Sequence, residues 1–213
     1  MRRTFVALLL LLASPAVAAE RSWPVMSGGA VGPSHLALQF QAGWPGLSLA
    51  GLYGVNDKLD AGLSLAFAYG ADGSLGFGPG LVPGFRLQPT VRYALVDTGA
   101  IRLGAWFAPG FGMDYLPGVP TPRILLPLGL TVGIVPSEAL AFHVGLDLPV
   151  SVTPGTFGGL TFPILFGGGV EYHVDRALAL TAQMRIGPAI ELTRPGAPAH
   201  LALEILGGLA YRI

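Results

Sequence analysis

The side chains in this chain that could do chemistry are few and scattered. Four histidines, His35, His143, His173 and His200, are the groups that would titrate near neutral pH. None stands at the i, i+4 or His-x-His spacing that brings two imidazoles onto one metal ion. Cysteine is absent, which removes thiolate nucleophiles, thiolate ligands and disulfides together. Gly167-Gly168-Gly169 lacks the following lysine and helix pattern of a phosphate loop, so it reads as close packing or a bend inside a strand. The chain is therefore expected to be no enzyme and to hold no metal and no cofactor, and no residue is nominated as catalytic.

What remains is ionic. Twelve basic and twelve acidic residues cancel to zero formal charge, which leaves no basic face for nucleic acid. The useful information is where these charges stand. Arg86, Arg92, Arg102, Arg123, Arg185 and Arg212 occupy one phase of a period-two alternation, and Asp60, Asp114, Asp147, Glu171, Glu191 and Glu204 share it.

Period two is the mark of strands with two different faces. From Leu59 to Tyr69 one face carries Leu59, Ala61, Leu63, Leu65, Phe67 and Tyr69, and the other Asp60, Gly62, Ser64, Ala66 and Ala68. Phe85 to Leu95 and Leu140 to Val150 repeat the split, the latter placing His143 and Asp147 opposite Phe142, Val144, Leu146 and Leu148. Leu178 to Leu192 and Leu201 to Ile213 follow suit.

A β-sandwich in water also alternates, so the polarity of the second face has to decide. A solvated face is rich in lysine, glutamate, serine and threonine; here it is mostly Gly and Ala with isolated charges, and Lys58 is the one lysine in the chain. Apolar residues make up 52% and charged residues 11%, with 32 Gly and 19 Pro. A barrel in lipid reverses the usual order, with apolar side chains outside and small or polar ones filling the lumen. After residue 18 no run of 18 apolar residues is free of Pro and Gly clusters, which argues against helical spans. Ile124 to Val135 comes nearest, but Pro127 interrupts it and Pro136 closes it.

The first residues read as a signal peptide. Arg2 and Arg3 precede an apolar run from Phe5 to Ala13, and Ala16-Val17-Ala18 offers a small-residue cleavage site. The expected organisation is a signal peptide at 1–18, a periplasmic N-terminal segment at 19–33 and a barrel at 34–213. Val55, Val96, Val135, Val174 and Ile213 recur at steps of 39 to 41 residues, the first four each followed by a tight polar turn. Each repeat then holds two strands, one longer loop and one short turn. About ten strands follow, or eight if the first hairpin, Ser34 to Val55, does not join the wall.

The longer connections are expected at 43–46, 70–84, 114–122, 151–159 and 193–198, all rich in Gly and Pro. Tyr53, Tyr93, Tyr172 and Tyr211 stand two or three residues before a turn or the carboxyl end, in the position of an aromatic girdle.

Two motifs carry a family resemblance. Gly208-Leu209-Ala210-Tyr211-Arg212-Ile213 resembles the carboxy-terminal assembly signal of bacterial outer-membrane barrels, with Gly208, Tyr211 and Ile213 in its marked positions and Leu206 where a polar residue is usual. Tyr53-Gly54-Val55-Asn56-Asp57-Lys58-Leu59 resembles the periplasmic turns of small porin-like barrels. The resemblance implies passage through the periplasm with chaperones, insertion by the barrel-assembly machinery, and outer-membrane lipids as the surroundings. Barrel proteases of the omptin type share the strand number but carry paired aspartates and an Asp-His pair at the rim, where this chain offers Asp114, Glu191 and His200. Barrel lipid-A hydrolases need a His-x-Ser that does not occur here.

The expected fold is thus an all-β, transmembrane, antiparallel up-and-down barrel in the cell outer membrane. Its lumen is expected to be lined by Asp60, Arg86, Arg92, Arg102, Arg123, His143, Asp147, Glu171, Arg185, Glu204 and Arg212. Such a barrel suits a structural or interaction role, or restricted passage of small solutes. An open pore, a hydrophobic-compound conduit and a rim-site hydrolase are the alternatives.

Overall fold

The computed structural model describes residues 23–70, 82–116, 119–155, 158–192 and 199–213; residues 1–18, expected to be a signal peptide, lie outside them. Among the described residues the regular structure is all strand. The strands are β1 (Leu36–Trp44), β2 (Gly46–Gly54), β3 (Leu59–Ala68), β4 (Gly84–Asp97), β5 (Ile101–Phe107) and β6 (Gly110–Leu116). They continue as β7 (Val119–Ser137), β8 (Leu140–Thr153), β9 (Gly159–Pro163), β10 (Leu165–His173), β11 (Leu178–Glu191) and β12 (His200–Arg212).

Strands β5 and β6 lie end to end, both pairing with β4 on one side and β7 on the other. Strands β9 and β10 do the same between β8 and β11. The twelve strands therefore make ten staves. Pairing of β12 with β1, from Ala37↔Arg212 to Trp44↔Ile205, closes them into an antiparallel barrel. The first hairpin is part of the wall, so the count is ten and not eight.

Alternation sends large apolar side chains to the outer surface. On β11, Leu180, Met184 and Ile186 are 47%, 53% and 42% exposed, whereas Thr181 and Gln183 are each 6% exposed. The interior holds the polar set: Asp60, Arg102, Arg123, His143, Asp147 and Glu171 are buried. Among the described residues the exposed charged side chains are Asp57, Lys58, Asp97, Glu138, Asp175 and Arg176. All six lie in or beside a short turn at one end of the barrel.

Those turns are built by side chains that cap their own backbone. Asn56 Oδ1 accepts the Lys58 and Leu59 amides at 2.9 and 3.0 Å. Asp175 Oδ1 accepts those of Leu178 and Ala177, both at 2.7 Å, which holds its carboxyl below the usual aspartate range.

At the opposite end two expected loops are shorter than the sequence suggested. Residues 114–116 and 119–122 continue the β6–β7 hairpin, with Asp114↔Thr121, Tyr115↔Pro120 and Leu116↔Val119. Turn-forming prolines pointed to a loop there, but Pro120 and Pro122 lie beyond the last β8 rung, Ile124↔Val152. On that side β7 is an edge, where proline needs no ladder partner. Residues 151–153 likewise stay paired with β9. Most of 70–84 and all of 193–198 lie outside the described residues.

Proline also explains the two interrupted staves. Ala108, between β5 and β6, donates its amide to Pro127 O at 2.9 Å, and proline has no N–H to return. The carbonyl of Ala108 is met instead by Gln88 Nε2 at 3.1 Å. Ile164, between β9 and β10, faces Pro188 in the same way, donating to its carbonyl at 2.9 Å. Replacing Gln88 by Leu should leave the buried Ala108 carbonyl without a donor and destabilise the barrel by about 1–3 kcal/mol. Urea unfolding of the refolded protein measures this; unchanged stability would mean that Gln88 does not mend the gap.

Candidate functional site: a plugged, charge-lined lumen

Residues 23–33 enter the barrel from the short-turn end. Trp23, Val25, Ser27 and Val31 are 3% exposed or less, and no strand pairs with this segment. Its backbone groups are satisfied by the wall. Glu171, on β10 and fully buried, accepts the Val25 amide at 3.0 Å and the Met26 amide at 2.5 Å. Asp60, on β3 and equally buried, accepts the Val31 amide at 3.0 Å. Arg92 bridges the two ends of the segment, pairing with Asp60 Oδ2 at 2.6 Å and donating to the Val25 carbonyl. Arg102 Nη1 reaches Ser27 Oγ at 3.3 Å.

Trp23 anchors the outer end of this plug. Its indole N–H donates to the Arg176 carbonyl at 3.2 Å. Arg212 lies 5.9 Å over the ring, and His173 meets it edge-on at 5.7 Å. Each of these groups belongs to the turn end of the wall, so the segment is tied to β3, β4, β5, β10 and β12 at once.

Inward-facing glycines make the room. A Cβ on Gly133 would collide with Ser27, and one on Gly54 with Gly32. Gly28, at φ +81°, sits so close to Gly104 and Thr131 that a Cβ would fall 2.9 and 2.7 Å from their backbones. A side chain there would meet both a left-handed backbone and a wall. Gly169 similarly lets His143 and Gln183 come together across β10, with His143↔Gly169↔Gln183 in one cross-strand row.

The remaining charges sit above the plug. Arg185 Nε pairs with Asp147 Oδ2 at 2.5 Å, and its Nη1 lies 3.6 Å from Glu204 Oε2. The Trp106 side chain lies across Gly129, beside the Asp147 carboxylate. Higher still, Arg123 binds Asp114 at 3.0 Å and donates to Ser151. Burying ions in this way costs several kcal/mol per charge unless the pairing is good. The wall meets that cost with carboxylate–guanidinium pairs and, at Glu171 and Asp60, with backbone amides.

Between the plug and the loop end lies a cavity of about 330 Å³. Val25, Met26, Gly28 and Gly29 floor it, and Arg86, Arg92, Arg185 and Glu204 are among its walls. Arg212, also expected in the lumen, is held at the plug by Trp23. The carboxy-terminal motif forms the closing seam: Tyr211 and Ile213 point outward, 48% and 65% exposed, and Ile213 and Leu36 exchange backbone hydrogen bonds of 2.7 and 3.1 Å. Gly208 lies against the Phe40 carbonyl, where a Cβ would not fit. His35, His143, His173 and His200 lie apart, and among the described residues no group of three His, Asp or Glu side chains is placed to hold a metal.

No protein-family model matches the chain, and no curated protein is significantly similar to it.

Sequence reasoning took residues 19–33 as a periplasmic segment and missed the plug. The available signal was a stretch free of alternation before the first strand, with small Ser27 and Gly28-Gly29 between buried Val25 and Val31, and Gly32 directly after. Glu171→Ala should strip two buried amides of their acceptor, at about 1–3 kcal/mol each, and free the segment. Red-shifted tryptophan emission and protease cleavage before residue 33 report this. Glu171→Gln, which keeps an acceptor oxygen, should be milder; a plug equally tight in both variants would show that Glu171 does not hold it.

Proposed function

We propose that this chain is exported through its signal peptide and stands in the bacterial outer membrane as a narrow, plugged barrel with a structural or interaction role. The observation that carries the membrane reading is the distribution of charge. Every exposed ionised side chain among the described residues is at the short-turn end, while the wall beyond presents Leu49, Leu63, Leu65, Val144, Phe166 and Met184, each about half exposed. A charge on such a wall at mid-bilayer would cost about 2–4 kcal/mol. Tyr53, Tyr93, Tyr172 and Tyr211, 36–49% exposed near the short turns, fit the headgroup level. Outer-membrane lipids are then the lasting partners, and periplasmic chaperones and the barrel-assembly machinery the transient ones.

The plug argues against an open pore. It fills the turn end of a lumen that, at ten strands, is only slightly wider than one its own side chains would fill. Passage of a small solute requires the plug to move. The wild-type protein should fractionate with outer membranes, migrate faster unboiled than boiled on a denaturing gel, and stay silent in planar bilayers. A variant lacking residues 19–33 that keeps the heat-dependent mobility should show small, stable conductance steps. Steps of equal size from both proteins would remove the closed-lumen reading, and recovery in the soluble fraction would remove the membrane reading.

A further inference from the structure

The cavity above the plug is two-faced. On the arc from β11 through β12 and β1 to β4 it presents the side chains of Gln39, Gln41, Gln88, Gln183, Ser48, Ser64 and Thr90, of which Gln88 Nε2 already donates to the Ala108 carbonyl and the Ser64 and Thr90 hydroxyls to the Gln88 carbonyl. On the arc from Ala108 through β7 and β8 to β10 its apolar lining is Ala108, Leu125, Pro127, Pro149, Pro163 and Leu165, with the polar groups of Thr131, Asp147 and Ser151 beside it. The Trp106 ring stands beside the second arc.

The charges around it close on themselves. Arg92 is paired with Asp60, which stands behind the lining, and Arg185 with Asp147 and Glu204; with Arg86 also in the wall, three guanidiniums are matched in number by three carboxylates. A solute with net charge would find no compensating excess. Gln183, 6% exposed, has an Oε1 without a hydrogen-bond partner among the described residues, and its side chain lines the cavity. An unmet buried acceptor calls for a donor. A volume of about 330 Å³ lies at the lower end of the range used for small ligands.

We propose that this cavity binds a small neutral polyol of about one sugar ring, its hydroxyl edge on the glutamine and serine arc and its C–H face on the proline, leucine and tryptophan arc. The inference rests on the lumen being closed at its turn end, which makes the cavity a pocket instead of a section of channel. Amides and hydroxyls both donate and accept, as a ring of hydroxyls requires. An apolar wall opposite is what separates a sugar ring from an open-chain polar solute such as glycerol.

Saturation-transfer nuclear magnetic resonance on the full-length, detergent-folded protein tests this with methyl α-D-glucopyranoside, sodium glucuronate and glucosamine as probes. The neutral glucoside should saturate at about 1 mM or below, with the two charged sugars weaker by about tenfold. Gln183→Leu should weaken the glucoside by about tenfold, and Ala66→Phe, which fills the cavity from β3, should abolish it in a protein that keeps its heat-dependent mobility. Lack of saturation, equal binding of the three probes, or binding indifferent to both substitutions would overturn the proposal. Bilayer silence and fractionation are read without any solute, so loss of binding in a silent, membrane-bound barrel defeats this inference alone.

Discussion

Everything in this molecule depends on where ionised groups can be placed in a wall one residue thick. A strand sends successive side chains to opposite faces, so one choice of register assigns every charge to the lumen or to the outside. Here Asp60, Arg92, Arg102, Asp147, Glu171 and Arg185 all fall inward. Once inside, they have to be satisfied, because the cost of an isolated buried ion exceeds what any one apolar side chain in the wall could offset. Three pairs satisfy each other, whereas Glu171 is met by the backbone of the chain's own N-terminal segment. The plug is therefore as much a consequence of the buried carboxylates as an addition to the barrel.

Space is the second requirement, and glycine supplies it. Gly54, Gly104 and Gly133 stand where the plug passes, and Gly129, Gly167 and Gly169 stand where Trp106, Arg185 and His143 lie across the wall. The high glycine content, which by itself would suggest weak strands, here hollows the lumen. The prolines work differently. Pro127 and Pro188 withhold one ladder N–H each and break the two staves opposite them, and Gln88 mends one of the gaps.

The wall was legible in the sequence because it depends on local periodicity. Leu59 to Tyr69 and Leu178 to Leu192 alternate so cleanly that strand, register and inward set follow from a single rule, and the 39-residue spacing of Val96, Val135 and Val174 set the stave count. Closure by the first hairpin was not legible, since pairing of Ala37 with Arg212 joins the two ends of the chain and leaves no local trace. The loop at 114–122 was misjudged because proline signals a turn in a central strand and is harmless on an edge, and only the height of β8 tells the two apart. The plug was invisible for a related reason. Its hydrogen bonds run from Val25 to Glu171 and from Val31 to Asp60, and an irregular segment stabilised by distant side chains has no period to detect. The cavity followed the plug: without a floor, the same glutamines would have read as the lining of a channel.

Strand β11 offers the most direct test that the apolar face meets lipid while the charged face meets the lumen. Because the chain has no cysteine, single cysteines can be placed at successive positions from 179 to 190 on β11 and labelled with a nitroxide in lipid bilayers. Accessibility to dissolved oxygen should then oscillate with a period of two residues, high at Leu180, Ala182, Met184 and Ile186 and low at Thr181, Gln183 and Arg185. A flat profile, an inverted phase, or outward positions reached as readily by a water-soluble nickel chelate as by oxygen would contradict it.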